Sequence, residues 1–277
     1  PDDADLLYGL AKAYAESDPS QMEEPLHTAM FSNPDHVPSL LLQAHNQADA
    51  EQYDTANGIL KAIFKINPHH TGSWALQAAI HTVRNEPDKA KLARASGLKH
   101  WKTNPLVDHE IGKKLSSKYL FAEGAAHQRQ ALVFSKDYLP AKTQLAQDLL
   151  RLGQEEEGWK LAEEAHKADG YDVTTYNLLT LHDSLKKYVT IDRNGFLLRM
   201  THDEAALYGD EAIDLLTEAR ELFSAKYDTQ IEGSVIVEIF PEKKDFAVRT
   251  FGIPGGDGYM GVCFGKLITA NSPKSLI

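Results

Sequence analysis

The sequence predicts a mainly α protein: a superhelical stack of helix pairs over residues 2–187, followed by a small α+β segment over residues 188–277. Three observations predict it. An Asn-Pro step or a close substitute returns about every 34 residues, a period that marks a helix-turn-helix array. It falls at Asn33-Pro34, Asn67-Pro68, Asn104-Pro105, Ser135-Lys136 with Pro140 after it, and Asp169-Gly170. Small residues recur at matched places inside these units. Beyond residue 187, helical spacing gives way to β-branched runs and a glycine-rich loop.

The helices follow from spacings of three and four. The first unit carries Leu7, Leu10, Ala11 and Tyr14, then Leu26 and Ala29. The second carries Leu40, Gln43, Ala44 and Gln47 on one helix, and Tyr53, Ala56, Leu60, Ile63 and Phe64 on the next, so each set shares a face. Pro68 follows that second helix, and Asn67 suits its end. Small pairs recur at Ala44 and Ala56, Ala78 and Ala90, Gly112 and Gly124, and Ala146 and Gly158, with Ala162 and Ala165 continuing the last face. A mid-helix glycine costs about 1 kcal/mol against alanine, so its placement there argues for close helix approach. These units resemble the tetratricopeptide repeat. The unit opened by Trp74 is longer than its neighbours, which predicts a second helix extended over residues 93–102. Residues 173–187, with Tyr176, Leu178, Leu179 and Leu185, read as a capping helix behind five helix pairs.

Composition narrows the partners. Forty acidic against 29 basic side chains leave a formal charge of −11, which opposes the counterion release that drives nucleic-acid binding. Cys263 is the only cysteine, so neither an intrachain disulfide nor a thiolate metal cage can form. No apolar run approaches the roughly 20 residues that span a bilayer, and the start lacks the basic-then-apolar pattern of a signal peptide. The chain opens Pro1-Asp2-Asp3 and ends Leu276-Ile277, and so reads as a piece of something longer. Its compartment stays open, and an extracytoplasmic one is compatible with a removed signal.

Past residue 187, residues 188–191 and 196–200 read as strands about an Asn194-Gly195 turn, the pair that favours a tight hairpin. Residues 203–227 form a long amphipathic helix, 234–240 a β-branched strand ended by Pro241, and 243–250 a short helix. Residues 252–258 are a loop, and 259–264 with 266–270 a second hairpin. Elements in this order call for a partner sheet, so the segment reads as unfinished. The runs Val237-Glu238-Ile239-Phe240-Pro241, Asp245 to Gly255, Gly261-Val262-Cys263-Phe264-Gly265 and Asn271-Ser272-Pro273 resemble the opening of bacterial peptidase-MA-like domains, which are gluzincin metallopeptidases. The resemblance implies a zinc-binding His-Glu-x-x-His helix and a further glutamate ligand downstream of residue 277. No zinc ligand carries over onto this chain, and zinc is expected only if a longer parent holds that motif.

The first helix of each pair is expected to line a concave groove for a protein or peptide, or for the protein's own downstream domain. That face holds Tyr8, Lys12, His45, Asp49, Ala79, His109, Lys113, Gln147, Arg151 and Asn177. A solvated face without a ligand is the plain alternative. The paired Lys and Asn that grip chaperone tails in some relatives are replaced here by Tyr8 and Lys12, Leu41 and His45, and Ala75 and Ala79, which disfavours that role.

The remaining candidates read as structural. His109-Glu110 opens like a zinc motif, but Lys113 stands where the second histidine belongs. His69-His70 suits a helix start, Cys263 a buried strand position, residues 252–258 a turn-rich connection, and Glu155-Glu156-Glu157 a solvated helix start. The chain itself is not expected to catalyse. It reads as an interaction scaffold that presents substrates or partners to a zinc peptidase domain in a longer protein, or else as a non-catalytic adaptor with a structural cap.

Overall fold

The computed structural model describes residues 3–255 and 258–276. Five helix pairs come first: α1 (Ala4–Ser17) and α2 (Glu23–Ser32), α3 (Val37–Asp49) and α4 (Tyr53–Ile66), α5 (Thr71–Val83) and α6 (Pro87–Gly97), α7 (Pro105–Ser117) and α8 (Phe121–Phe134), α9 (Leu139–Arg151) and α10 (Glu155–Ala168). The cap α11 (Val173–Leu185) follows. The chain then forms β1 (Val189–Arg193), β2 (Phe196–Met200), α12 (His202–Tyr227), β3 (Val235–Phe240), α13 (Lys243–Phe251), β4 (Gly261–Phe264) and β5 (Leu267–Asn271). The expected class is the one observed, a mainly helical tetratricopeptide-type stack with a small α+β segment.

Two compact units emerge: residues 1–118 with 130–136, and residues 119–129 with 137–277. In the first, Leu40, Ala44, Ala48, Ala56, Leu60, Ile63, Leu76 and Ile80 make one buried cluster, and the Phe64 and Trp74 rings stack at 4.0 Å. The recurring asparagine has a defined task. Asn33 and Asn67 end α2 and α4, and their side chains accept from the Asp35 and His69 backbone N–H at 3.1 and 3.0 Å. Asp169 does the same after α10, accepting from Tyr171 N–H at 3.0 Å. These Asx turns reverse the chain between pairs.

The expected long second helix is not formed. α6 ends at Gly97, and the extra residues make the turn that leads to Asn104, which caps the start of α7 by accepting from Leu106 N–H at 3.1 Å. A Cβ on Gly97 would meet the Trp74 Cβ at 3.3 Å and the Val107 methyls at 3.4 Å, so the end of α6 lies close against both neighbours. Within the pairs the spacing is exact: Glu51, Asn85, Tyr119 and Gly153, each 34 residues from the last, all take positive φ (57° to 76°) between first and second helix. His70 starts α5 as expected, its Nδ1 accepting from Ser73 N–H at 3.2 Å.

In the second unit the five strands form one sheet in the order β1-β2-β3-β5-β4. β1 and β2 are an antiparallel hairpin turning on Asn194 (φ 54°) and Gly195 (φ 75°), both in the left-handed region that a tight two-residue turn demands. β2–β3 and β3–β5 pair in parallel, β4–β5 antiparallel. One face carries Phe196, Leu198, Met200, Val235 and Val237, which pack on Ile213 of α12.

Both faces of the sheet carry helices. The opposite face meets α13 and the last repeat helices, joining Phe240, Phe246 and Val248 to Leu150, Trp159, Leu178, Leu181 and Leu185 in one core. Alternation puts Arg199 and Glu238 on that face, and their charges are answered there. Glu238, fully buried, pairs with Arg199 at 3.0 Å and with the equally buried Arg249 at 2.6 Å. Glu155 of α10 completes the set, meeting Arg199 at 2.6 Å and Arg249 at 3.4 Å. The solvated role expected of Glu155 is therefore overturned: hydrogen bonds and charge from Arg199, then Arg249, hold its carboxyl below the usual range against the opposing effect of burial. Cys263 is also not buried as expected. It lies on the outermost strand, opposite Ile268, on the face whose helix α12 packs against β1 and β2.

A buried ion pair adds little net stability while whole, but removing one partner strands the other charge. Glu238→Ala is therefore expected to destabilise the chain by about 3–5 kcal/mol in urea unfolding followed by intrinsic fluorescence.

Candidate peptide groove

Within the first unit, α1, α3 and α7 line an open cavity of about 610 Å³. Tyr8, Lys12 and Ala15 come from α1; Pro38, Leu41, Leu42, His45, Asn46 and Asp49 from α3; Glu110, Lys113, Lys114 and Ser117 from α7. The helix between them in sequence, α5, contributes only small, fully buried inner residues at Ala75, Ala78 and Ala79. Long side chains of α7 therefore reach α3. Lys114 Nζ binds the Asp49 carboxylate at 2.7 Å, and Lys118 Nζ donates to the Asp49 carbonyl at 2.8 Å.

The sequence-predicted residues divide between the two units. Tyr8, Lys12, His45, Asp49 and Lys113 come together around the cavity. His109 does not: it is buried in α7, one position away from the face that carries Glu110, Lys113, Lys114 and Ser117. Spacings of three, four and seven from Glu110 are the signal that would have picked that face. Ala79 is fully buried and does not line the cavity. In the second unit, Gln147 and Arg151 lie against α13, bordering with Leu150, Leu178, Val248, Arg249 and Gly252 a space of about 10 Å³. Arg151 donates to the Thr250 carbonyl at 3.3 Å and lies over the Phe121 and Phe264 rings at 5.2 and 5.9 Å. Asn177 is half-buried, with its Nδ2 enclosed and lacking a protein partner.

The electrostatics of the cavity differ from those of the chain. Asp49 is answered by Lys114, whereas Lys12 and Lys113 are exposed and form no ion pair among the described residues. His45 is held neutral: burial first, then the charge of Lys114, push its imidazole down from 6.5 to about 4, against the pull of Asp49. The site thus offers two uncommitted ammonium groups, a neutral imidazole, the Tyr8 phenol and the Asn46 amide above an aliphatic floor. Groups of this kind can hold a ligand through hydrogen bonds and charge.

No family model matches the chain, and no curated protein matches it. Solved structures do resemble it. The APC/C hetero-tetramer Cut9-Hcn1 aligns with TM-score 0.43 and 15% identity over 66% of this chain and 37% of that one. YrrB, a TPR protein with an unusual peptide-binding site, aligns with TM-score 0.36 and 10% identity over 66% and 92%. The TPR domain of P58(IPK) aligns with TM-score 0.29 and 15% identity over 67% and 58%.

A histidine with a lowered folded pKa binds protons more readily once unfolded. The stabilisation from neutral His45 is present above pH 6.5 and lost as pH falls from 6.5 towards about 4. Thermal unfolding across that window is expected to show a falling midpoint, and His45→Gln to flatten the fall.

Proposed function

We infer that this chain is a protein-interaction scaffold whose first repeats hold an extended peptide in the cavity between α1, α3 and α7. The observation that carries this reading is the charge of that cavity: in a chain of net charge −11, Lys12 and Lys113 stand uncommitted beside donors from Tyr8 and Asn46. The cations favour a peptide bearing carboxylate side chains, and Leu41, Leu42 and Pro38 supply apolar contact between them.

The finer reading is that the α+β segment opens a gluzincin-type peptidase domain in a longer protein, with the repeats presenting substrates or partners to it. Its support is the sequence resemblance over residues 188–277. Any zinc would be held by residues outside this chain. The rival reading, a non-catalytic adaptor whose α+β segment is a structural cap, draws on the single core that Phe240, Phe246 and Val248 share with Leu150, Trp159 and Leu178. Proteolysis by the full-length gene product, lost with a chelator, would separate the two; the adaptor predicts none.

The groove itself is tested by selecting displayed random peptides on the full chain. Selected peptides should be enriched in Asp and Glu and should lose about tenfold in affinity for a Lys12→Glu/Lys113→Glu variant, roughly 1.4 kcal/mol. Equal binding to both proteins would remove this reading.

A further inference from the structure

α12 has two faces. Ala205, Tyr208, Ala212, Ile213 and Leu216 turn towards the sheet, and a Cβ on Gly209 would come within 2.7 Å of Ile191, so that side is closely packed. The outward side is not that of an ordinary solvated helix. Leu207, Leu215 and Leu222 are 82%, 66% and 60% exposed, and Glu211 and Glu218 lie between them at steps of three and four residues. The five side chains form a single strip, because such steps return to the same helix face. From Leu207 to Leu222 the strip runs roughly 22 Å at the rise of an α-helix.

Its charge selects the occupant. Seven acidic residues fall within α12, against Arg220 and Lys226 as its lysines and arginines. Asp210 and Asp214 are answered by Arg193, and Arg220 bends over the Phe196 ring. Glu211, Glu218 and Glu221 form no ion pair among the described residues. A second copy of the strip laid on the first would set these glutamates against each other, and an anionic lipid surface would repel them. We propose that the outer strip of α12 docks a basic amphipathic helix of another protein, with aliphatic residues on the leucines and Lys or Arg between Glu211, Glu218 and Glu221. Alternating leucine and carboxylate at near-heptad spacing fits a partner that alternates leucine and cation in the same rhythm. The strip shares no residue with the α1/α3/α7 cavity and takes a peptide of opposite charge.

The test uses the full chain and a fluorescent model peptide of about 20 residues, long enough to form a helix on binding. It is built of Leu and Lys with Leu at helical spacing, and its comparator has the same composition in shuffled order. The patterned peptide should bind about tenfold tighter than the shuffled one. The Leu215→Asn/Leu222→Asn variant should lose that preference with an unchanged circular dichroism spectrum. Glu211→Gln/Glu218→Gln should weaken binding and its dependence on salt. The preference should survive in Lys12→Glu/Lys113→Glu, which separates its fate from that of the groove. Equal binding of the two peptides would mean attraction to net charge alone and would overturn the proposal. So would a preference that survives loss of both leucines, or sedimentation showing that the strip instead joins two copies of the chain.

Discussion

Paired helices in the repeats approach at places that leave no space for a large side chain. Ala44 and Ala56 are fully buried in one pair, and in another a Cβ on Gly158 would sit 2.9 Å from the Leu150 side chain and 3.3 Å from the Ala146 carbonyl. That steric condition fixes the separation of the helices, and the separation decides which residues line the inner face. With α5 reduced to alanines there, Lys114 of α7 can bind Asp49 of α3, and the cavity takes its charge from what this pair leaves over.

A second condition operates in the α+β unit. The sheet face carrying Arg199 and Glu238 would be costly to bury alone, since unpaired charges in a core cost several kcal/mol each. Glu155 and Arg249 satisfy it from two different helices, and the Trp159 ring lies 5.6 Å from the Arg249 guanidinium. The last repeat helices thereby form one wall of the α+β core. Gln147 and Arg151 then serve that wall, although their positions in α9 match those of cavity-lining residues in α3 and α7.

Local patterns were legible in the sequence, and long-range ones were not. The helix pairs, the Asn194-Gly195 hairpin, the long helix and the strand ended by Pro241 all follow from spacing and turn chemistry within a dozen residues. The end of α6 was missed because the residues after Gly97 keep helical spacing in sequence, while the chain there turns towards Asn104. Glu155 read as a dipole-compensating surface residue because its arginines arrive 44 and 94 residues later. Five of the residues read as groove lining border one cavity, and His109 is buried one step of helix rotation away from it. Leu207 and Leu222 share the helical spacing of Ile213 and Leu216, so spacing alone could not separate the exposed strip on α12 from its core side.

The left-handed residues at 51, 85, 119 and 153 keep their interval although the Asn-Pro steps drift. The interval survives a change of helix length: α6 has 11 residues where α4 and α8 have 14, and the passage from Gly97 to Asn104 makes up the difference. Second helix and joint thus trade residues at constant sum, so the next first helix begins in phase even where its predecessor ends early.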